Sequence, residues 1–207
     1  MEEVRDSNRV CLRGTVSEAP VFSHESRGER FYRFSLDVER LSGAVDSVHI
    51  LARGQLLEAL TLPEAGDGEK LCVEGELRTF NNKSGVGARL VISVFARALR
   101  FEDGPDLNDV VLAGALCKLP NYRTTPMGRE ICDLMLAVNR RYGRSDYLPC
   151  IAWGAAAREA ALWQVGDTVS LNGRIQSRRY SKTVDGQTLE KTAYEVSVIG
   201  IRREFPE

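Results

Sequence analysis

Two short clusters interleave arginine with tyrosine: Arg140-Arg141-Tyr142-Gly143-Arg144 and Arg178-Arg179-Tyr180. A third segment, Tyr147 to Trp153, alternates by twos. Tyr147, Pro149, Ile151 and Trp153 therefore share one face of a strand, and Leu148, Cys150 and Ala152 the other. The small apolar set suits a barrel interior, which leaves the aromatic set facing outward. Rings beside guanidinium groups offer a particular chemistry. Bases stack on rings at about 1–3 kcal/mol each, and cations neutralise phosphates with a salt-dependent gain. Arginine adds a planar cation that itself lies over rings and bases. Blander readings stand beside this one. A charge run such as 140–144 also describes a solvated hairpin tip, and Trp153 also fits a core position. Trp163 reads as core or interface, Tyr122 and Tyr194 as structural or subunit-contact residues, and Arg202 and Arg203 carry no assignment.

Other chemistries are poorly supplied. Hydrolysis of nucleotides or nucleic acid needs clustered carboxylates for metal or a GxxxxGK[ST] phosphate loop. Neither stands in the sequence, and Asp146, Asp167 and Asp185 read as isolated structural acids of turns and loops. The two histidines, His24 and His49, both precede residue 100, which excludes a conventional zinc site or a histidine-based triad in the later half. Five cysteines (Cys11, Cys72, Cys117, Cys132, Cys150) form an odd, scattered set without a CxxC pair. They read as free thiols packing as small apolar groups in a reducing compartment. No catalytic residue, cofactor or metal is expected, and the chain reads as a non-enzyme. No apolar run reaches the roughly 18–20 residues of a bilayer span, and Met1-Glu2-Glu3 opens no signal peptide. A cytoplasmic protein without membrane partners is expected.

The elements that must position the aromatic and basic residues are written twice. The 207 residues, 43% hydrophobic and 28% charged, allow one large domain or two small ones. Sliding the sequence by 100 positions superimposes Asn8, Val10, Leu12, Gly14 and Pro20 on Asn108, Val110, Leu112, Gly114 and Pro120. The register runs on without a gap through Gly28, Leu36, Val38, Arg40, Asp46, Ala52 and Gly54 onto Gly128, Leu136, Val138, Arg140, Asp146, Ala152 and Gly154. Later, Gly75 matches Gly173, with two extra residues in the first copy. Two tandem domains, 1–103 and 104–207, follow, parted near Glu102-Asp103-Gly104-Pro105-Asp106. In the second copy, strands are expected from Val110 toward Pro120, over Leu134–Val138, Tyr147–Trp153, Val169–Tyr180 and Thr192–Ile201. An alanine-rich helix over Ala155–Leu162 lies between the third and fourth, matched by Gln55–Leu62 in the first copy. The fold class is all-β: two tandem five-stranded OB-fold barrels, each with one short helix between strands 3 and 4.

The stretch Leu119-Pro120-Asn121-Tyr122-Arg123-Thr124-Thr125-Pro126-Met127-Gly128 resembles the first hairpin of the bacterial single-stranded-DNA-binding proteins. Leu136–Arg140, Asp146–Gly154, Gly173–Tyr180 and Ala193–Val196 are similar to that family's later signatures, in the same order. The resemblance covers nearly all of residues 108–203; in residues 8–100 it survives mainly through the repeat. It implies an OB fold that binds single-stranded DNA in replication, recombination or repair without copying or cutting it. Carried over residue by residue, it implies stacking platforms at Tyr142, Tyr147, Trp153 and Tyr180. It implies phosphate contacts drawn from Arg123, Arg140, Arg144, Arg174, Arg178, Arg179 and Lys182. Tyrosine stands at 142, 147 and 180 where many members have tryptophan, a smaller face for a base.

The first copy lacks these platforms: Tyr147 falls on Ser47, Trp153 on Arg53, Tyr142 on Ser42 and Tyr180 on Asn82, with Phe80 near enough to replace one. Charge divides likewise. Residues 1–103 hold 14 basic and 17 acidic side chains and residues 104–207 hold 14 and 12, so the net charge of −1 averages −3 and +2. The second domain is expected to hold most of the DNA affinity, while the first completes the assembly or binds weakly. By resemblance, four OB folds surround one strand, which two chains would supply as a homodimer. No acidic recruitment tail follows Glu207, an expectation that points to a specialised role in competence, plasmid, phage or stress biology. An OB-fold scaffold with weak DNA affinity is the alternative, and stacking alone does not separate DNA from RNA.

Overall fold

Period-two alternation governs both halves of the computed structural model, which describes residues 8–60, 69–81, 90–140, 143–184 and 187–204, with the backbone alone at 179, 180, 182–184 and 187–191. In the first half the strands are β1 (Asn8–Ser26), β2 (Glu29–Glu39), β3 (Val45–Arg53), β4 (Lys70–Asn81) and β5 (Leu90–Phe101), with α1 (Gly54–Glu58) after β3. The second half runs β6 (Leu107–Leu116), β7 (Asn121–Thr124), β8 (Glu130–Asn139), β9 (Ser145–Trp153), α2 (Gly154–Ala160), β10 (Thr168–Val184) and β11 (Gln187–Glu204).

Each half closes on itself. The first ring runs β1-β2-β3-β5-β4 and back to β1, with β3 and β5 parallel. The second runs β6-β8-β9-β11-β10 and back to β6, with β9 and β11 parallel and β7 added at the edge of β8. This is the OB order, in an all-β chain. Inward residues come from alternate positions: Leu148, Cys150 and Ala152 of β9 are at most 2% exposed, as their spacing predicts.

The repeat's shared glycines have a steric cause. A Cβ on Gly14 would lie 2.2 Å from the Asp37 carbonyl oxygen, and one on Gly114 2.3 Å from that of Ala137. On Gly75 and Gly173 it would meet the carbonyls of Phe95 and Ser197 at 2.3 and 2.4 Å. These are the crossings where a closing strand passes over its neighbour, and a side chain there would open the barrel.

Packing groups Arg9–Arg78 with Ile92–Asp109 in one compact unit, and Thr79–Val91 with Val110–Glu207 in the other. The acidic segment 102–106 is fastened to the first unit. The Arg13 guanidinium pairs with Glu102 and donates from Nε to the Pro105 carbonyl at 2.8 Å, while Lys70 meets Asp106 at 2.6 Å.

Strand β6 stops at Leu116, short of the Pro120 expected to end it, whereas β1 runs on through Pro20, which sits where the pairing slips between Glu18 and Val21, a bulge that has no need of its missing N–H. Two other local expectations change. The helices are shorter than their alanine content predicts, α2 stopping at Ala160 before the turns that bring Trp163, 5% exposed, into the core. Strands β10 and β11 run beyond the expected ends, paired to Val184 and Gln187. All five cysteines are free, with Cys72, Cys132 and Cys150 buried. Among the described residues no helix is long and apolar enough to cross a membrane.

Candidate nucleic-acid interface

The outward face of the second barrel is assembled by β9, β10 and β11 together with β7 and β8. On β9, Tyr147 stands half in water at 52% exposure, as alternation requires. Trp153 ends the strand half-buried and donates its Nε1–H to the Ser197 hydroxyl on β11 at 3.2 Å, which fixes the indole plane. Ile151, placed on the same face by its spacing, is only 5% exposed, since it is flanked by Asp133 of β8 and Ser197 of β11. The outer face is thus not uniformly open: its middle is closed and its two ends carry the rings.

On β10, Gly173 and Ile175 point inward, so Arg174 and Arg178 point outward. Arg178 is exposed. The Nε of Arg174 is buried with no hydrogen-bond partner among the described residues. Arg179, Tyr180 and Lys182 continue the strand opposite Thr192, Lys191 and Leu189; their side chains lie outside what is described, as does the whole of Tyr142. Arg144 is exposed, and its carbonyl accepts the Arg140 N–H at 2.6 Å to close the β8–β9 turn.

Two of the expected phosphate ligands already have carboxylate partners. Arg123 on β7 donates to both oxygens of Asp133 at 2.7 and 3.1 Å. Arg140 is held by both oxygens of Asp146 and donates to the Thr79 carbonyl at 3.2 Å. Asp146 is fully buried and also accepts the Thr79 N–H at 2.6 Å, while Thr79 Oγ1 accepts the Tyr147 N–H at 3.1 Å. The supposed turn acid is therefore a buried pivot that ties the base of the β8–β9 hairpin, and the start of Tyr147, to the end of β4. The repeat keeps the device: Arg40 grips buried Asp46 at 2.5 and 2.6 Å.

Sequence reasoning missed Asp133, Glu195 and Ser197 as members of this face. Alternation carried the signal, since Val196 and Val198 point inward and leave Glu195 and Ser197 outside. Burial pushes the Glu195 carboxyl up; Arg178 and Arg123 pull it down, while Asp133 pushes it up further. Elsewhere, the Cys11 and Cys72 sulfurs and a Glu74 oxygen lie within 4.8 Å of one another. Burial and the nearby Cys11 push the Cys72 thiol up to about 11, and Glu74 is already paired with Arg100 at 2.5 Å. At neutral pH this is a protonated thiol beside a neutralised carboxylate, a poor donor set for a cation.

Comparison with known proteins follows the same lines. The single-strand binding protein family matches over residues 107–202. Over 80 residues the chain is 39% identical to single-stranded DNA-binding protein B of Bacillus subtilis, covering 35% of this chain and 71% of that protein. It is 36% identical over 88 residues to single-stranded DNA-binding protein 2 of Listeria innocua, covering 39% and 55%. The matched parts thus span between about half and seven-tenths of these relatives' own lengths. A solved deletion mutant of the single-stranded DNA binding protein from Thermus aquaticus superimposes at a TM-score of 0.75 with 25% identity, covering 98% of this chain and 97% of that one. By its fold, its glycine-marked barrel crossings and these likenesses, the chain belongs to the single-strand binding protein family.

Proposed function

We propose that this chain binds single-stranded DNA and protects it without altering it chemically, with the second barrel supplying most of the affinity. The observation that carries this reading is the outer face of that barrel. Tyr147 is exposed on β9, Trp153 at the end of β9 is held by Ser197 of β11, and Arg174 and Arg178 lie on β10, the next strand beyond β11. Rings and guanidinium groups thus share one face two strands apart, which suits bases that stack while their phosphates meet cations. Tyr142, Arg144, Arg179, Tyr180 and Lys182 extend this set by sequence, and Arg123 joins it on leaving Asp133. Arg140 acts through the hairpin that it fastens. The Bacillus, Listeria and Thermus proteins named above, each called a single-stranded DNA-binding protein, support the substrate class.

Two chains would bring four barrels to one strand, so we propose a homodimer working in the cytoplasm on strands exposed in replication, recombination or repair. The deciding experiment titrates the full chain with oligo-dT of several lengths at stepped salt. It follows tryptophan fluorescence and weighs the complexes. Quenching with an affinity that falls as salt rises supports the reading; no quenching at low salt overturns it. Competition by poly-U ranks RNA against DNA. A scaffold role is the second reading, favoured by Asp133 and Glu195 on the same face, and it predicts weak binding that is insensitive to Tyr147 and Trp153.

A further inference from the structure

The first barrel does not present the rings of the second, yet its matching face is rich in rings and guanidinium groups. Strand register makes the comparison. Leu51 lies beside Phe95 in the parallel β3–β5 pair, as Ile151 lies beside Ser197 in the parallel β9–β11 pair. The crossing glycines agree, since Gly75 faces the Phe95 carbonyl as Gly173 faces that of Ser197. Phe95 is therefore the counterpart of Ser197, and Arg53 that of Trp153. In the second barrel a ring on the third strand contacts a small polar group on the fifth. In the first the pair is exchanged: the Arg53 guanidinium lies over the Phe95 ring, 5.7 Å from its centroid. The platform has moved by one strand.

We infer that the first barrel carries its own single-stranded DNA stacking site, centred on Phe95 and bracketed by Arg53 and Arg97. This rests on the reading above that the outer barrel face binds DNA. Phe95 points outward because Val94 and Ala96 on either side are buried at 0% and 1%. Arg97, two residues on, shares that face and places its guanidinium 4.8 Å from the ring centroid. Phe31 on β2, itself buried, lies 6.2 Å away and backs the platform, and the exposed His24 of β1 stacks on it at 4.8 Å with planes 8° apart. Both arginines have displaceable acids: Arg53 has Glu29 at 3.2 Å, and Arg97 has Glu76 at 3.0 Å with nearly half of its side chain exposed. A base that stacks on Phe95 takes the place of a guanidinium over the ring. The released cation then meets the phosphate which that nucleotide brings.

The test compares the full-length chain with Phe95→Ala, Arg97→Ala and Phe95→Trp, each alone and together with Tyr147→Ala, in titrations with a long oligo-dT. Phe95→Ala is expected to weaken binding at least fivefold in both backgrounds, and Arg97→Ala to lower the slope of log affinity against log salt by less than one, because Glu76 offsets part of the counterion release. Phe95→Trp, which keeps the ring and guards against loss of the fold, is expected to retain affinity and to add quenchable fluorescence. If Tyr147→Ala weakens binding while all three changes at 95 and 97 leave it within twofold, this site is overturned and the second barrel stands alone. If the unmodified chain binds no oligo-dT, both readings fail together.

Discussion

Truncating Tyr147 separates binding from folding more cleanly than any other change on the second barrel. The side chain is 52% exposed, so its removal leaves no cavity and costs the fold about 0.5 kcal/mol or less. If a base stacks on it, Tyr147→Ala loses about 1–3 kcal/mol of binding, or about 5- to 140-fold in affinity for oligo-dT at fixed salt. Trp153→Ala provides the contrast. Its ring is half-buried and tied to Ser197 at 3.2 Å, so about 1 kcal/mol of hydrogen bonding and a share of packing are lost as well. At about 2–4 °C per kcal/mol for a chain of this size, a 2 kcal/mol loss lowers the melting temperature by about 4–8 °C. The assay is fluorescence anisotropy of labelled oligo-dT in parallel with thermal unfolding. Tyr147→Ala should move only the first, and Trp153→Ala both. Affinity within twofold of wild type for Tyr147→Ala would refute stacking on this face, whatever the behaviour of Trp153.

Three further outcomes are expected. Asp146→Ala removes a fully buried carboxylate and strands Arg140 and the Thr79 N–H. About 3–5 kcal/mol should go, a fall of at least about 6 °C in melting temperature, and an unchanged transition would show the pair to be incidental. Asp133→Asn releases Arg123 and should raise oligo-dT affinity and steepen its salt dependence; weaker binding would mean that the pair positions Arg123 rather than restrains it. Glu195 has a carboxyl pushed up by burial. Its ionisation therefore costs the folded state, a penalty absent below the ordinary carboxylate range that grows as pH rises through the raised value. A bound polyanion pushes that value further up, so affinity should fall with rising pH over this window, and Glu195→Gln should flatten the trend in a pH series of titrations.

The barrels were legible in the sequence because their steric demands are local. Gly14 and Gly114, Gly75 and Gly173 recur where no Cβ fits, and Leu148, Cys150 and Ala152 alternate into the core. Tyr147 was legible for the same reason. What escaped depended on pairing between strands distant in sequence. Nothing near Asp133 announces that Arg123 will claim it, or that Asp146 will accept a hydrogen bond from Thr79, 67 residues earlier. The displaced platform escaped for a related reason. Matching by position laid Trp153 on Arg53 and registered a loss, whereas the replacement ring sits on the adjacent strand at Phe95.

The net charge of −1 also takes on a mechanical meaning. Arg123 with Asp133, Arg53 with Glu29 and Arg97 with Glu76 all carry an acid on an outward face. A phosphate arriving at any of them replaces a carboxylate instead of neutralising a bare cation, so each exchange yields a difference between two ion pairs. Exposed pairs are worth only about 0–1 kcal/mol, and that difference is smaller still. Stacking at about 1–3 kcal/mol per base then becomes the larger part of binding. The counterions released should number fewer than the arginines on the face, because the carboxylates set free recruit cations of their own. A shallow salt slope joined to strong sensitivity at Tyr147, Trp153 and Phe95 is the signature of such a surface. A steep slope with insensitive rings would mark an electrostatic binder, and the acids beside these arginines argue against that design.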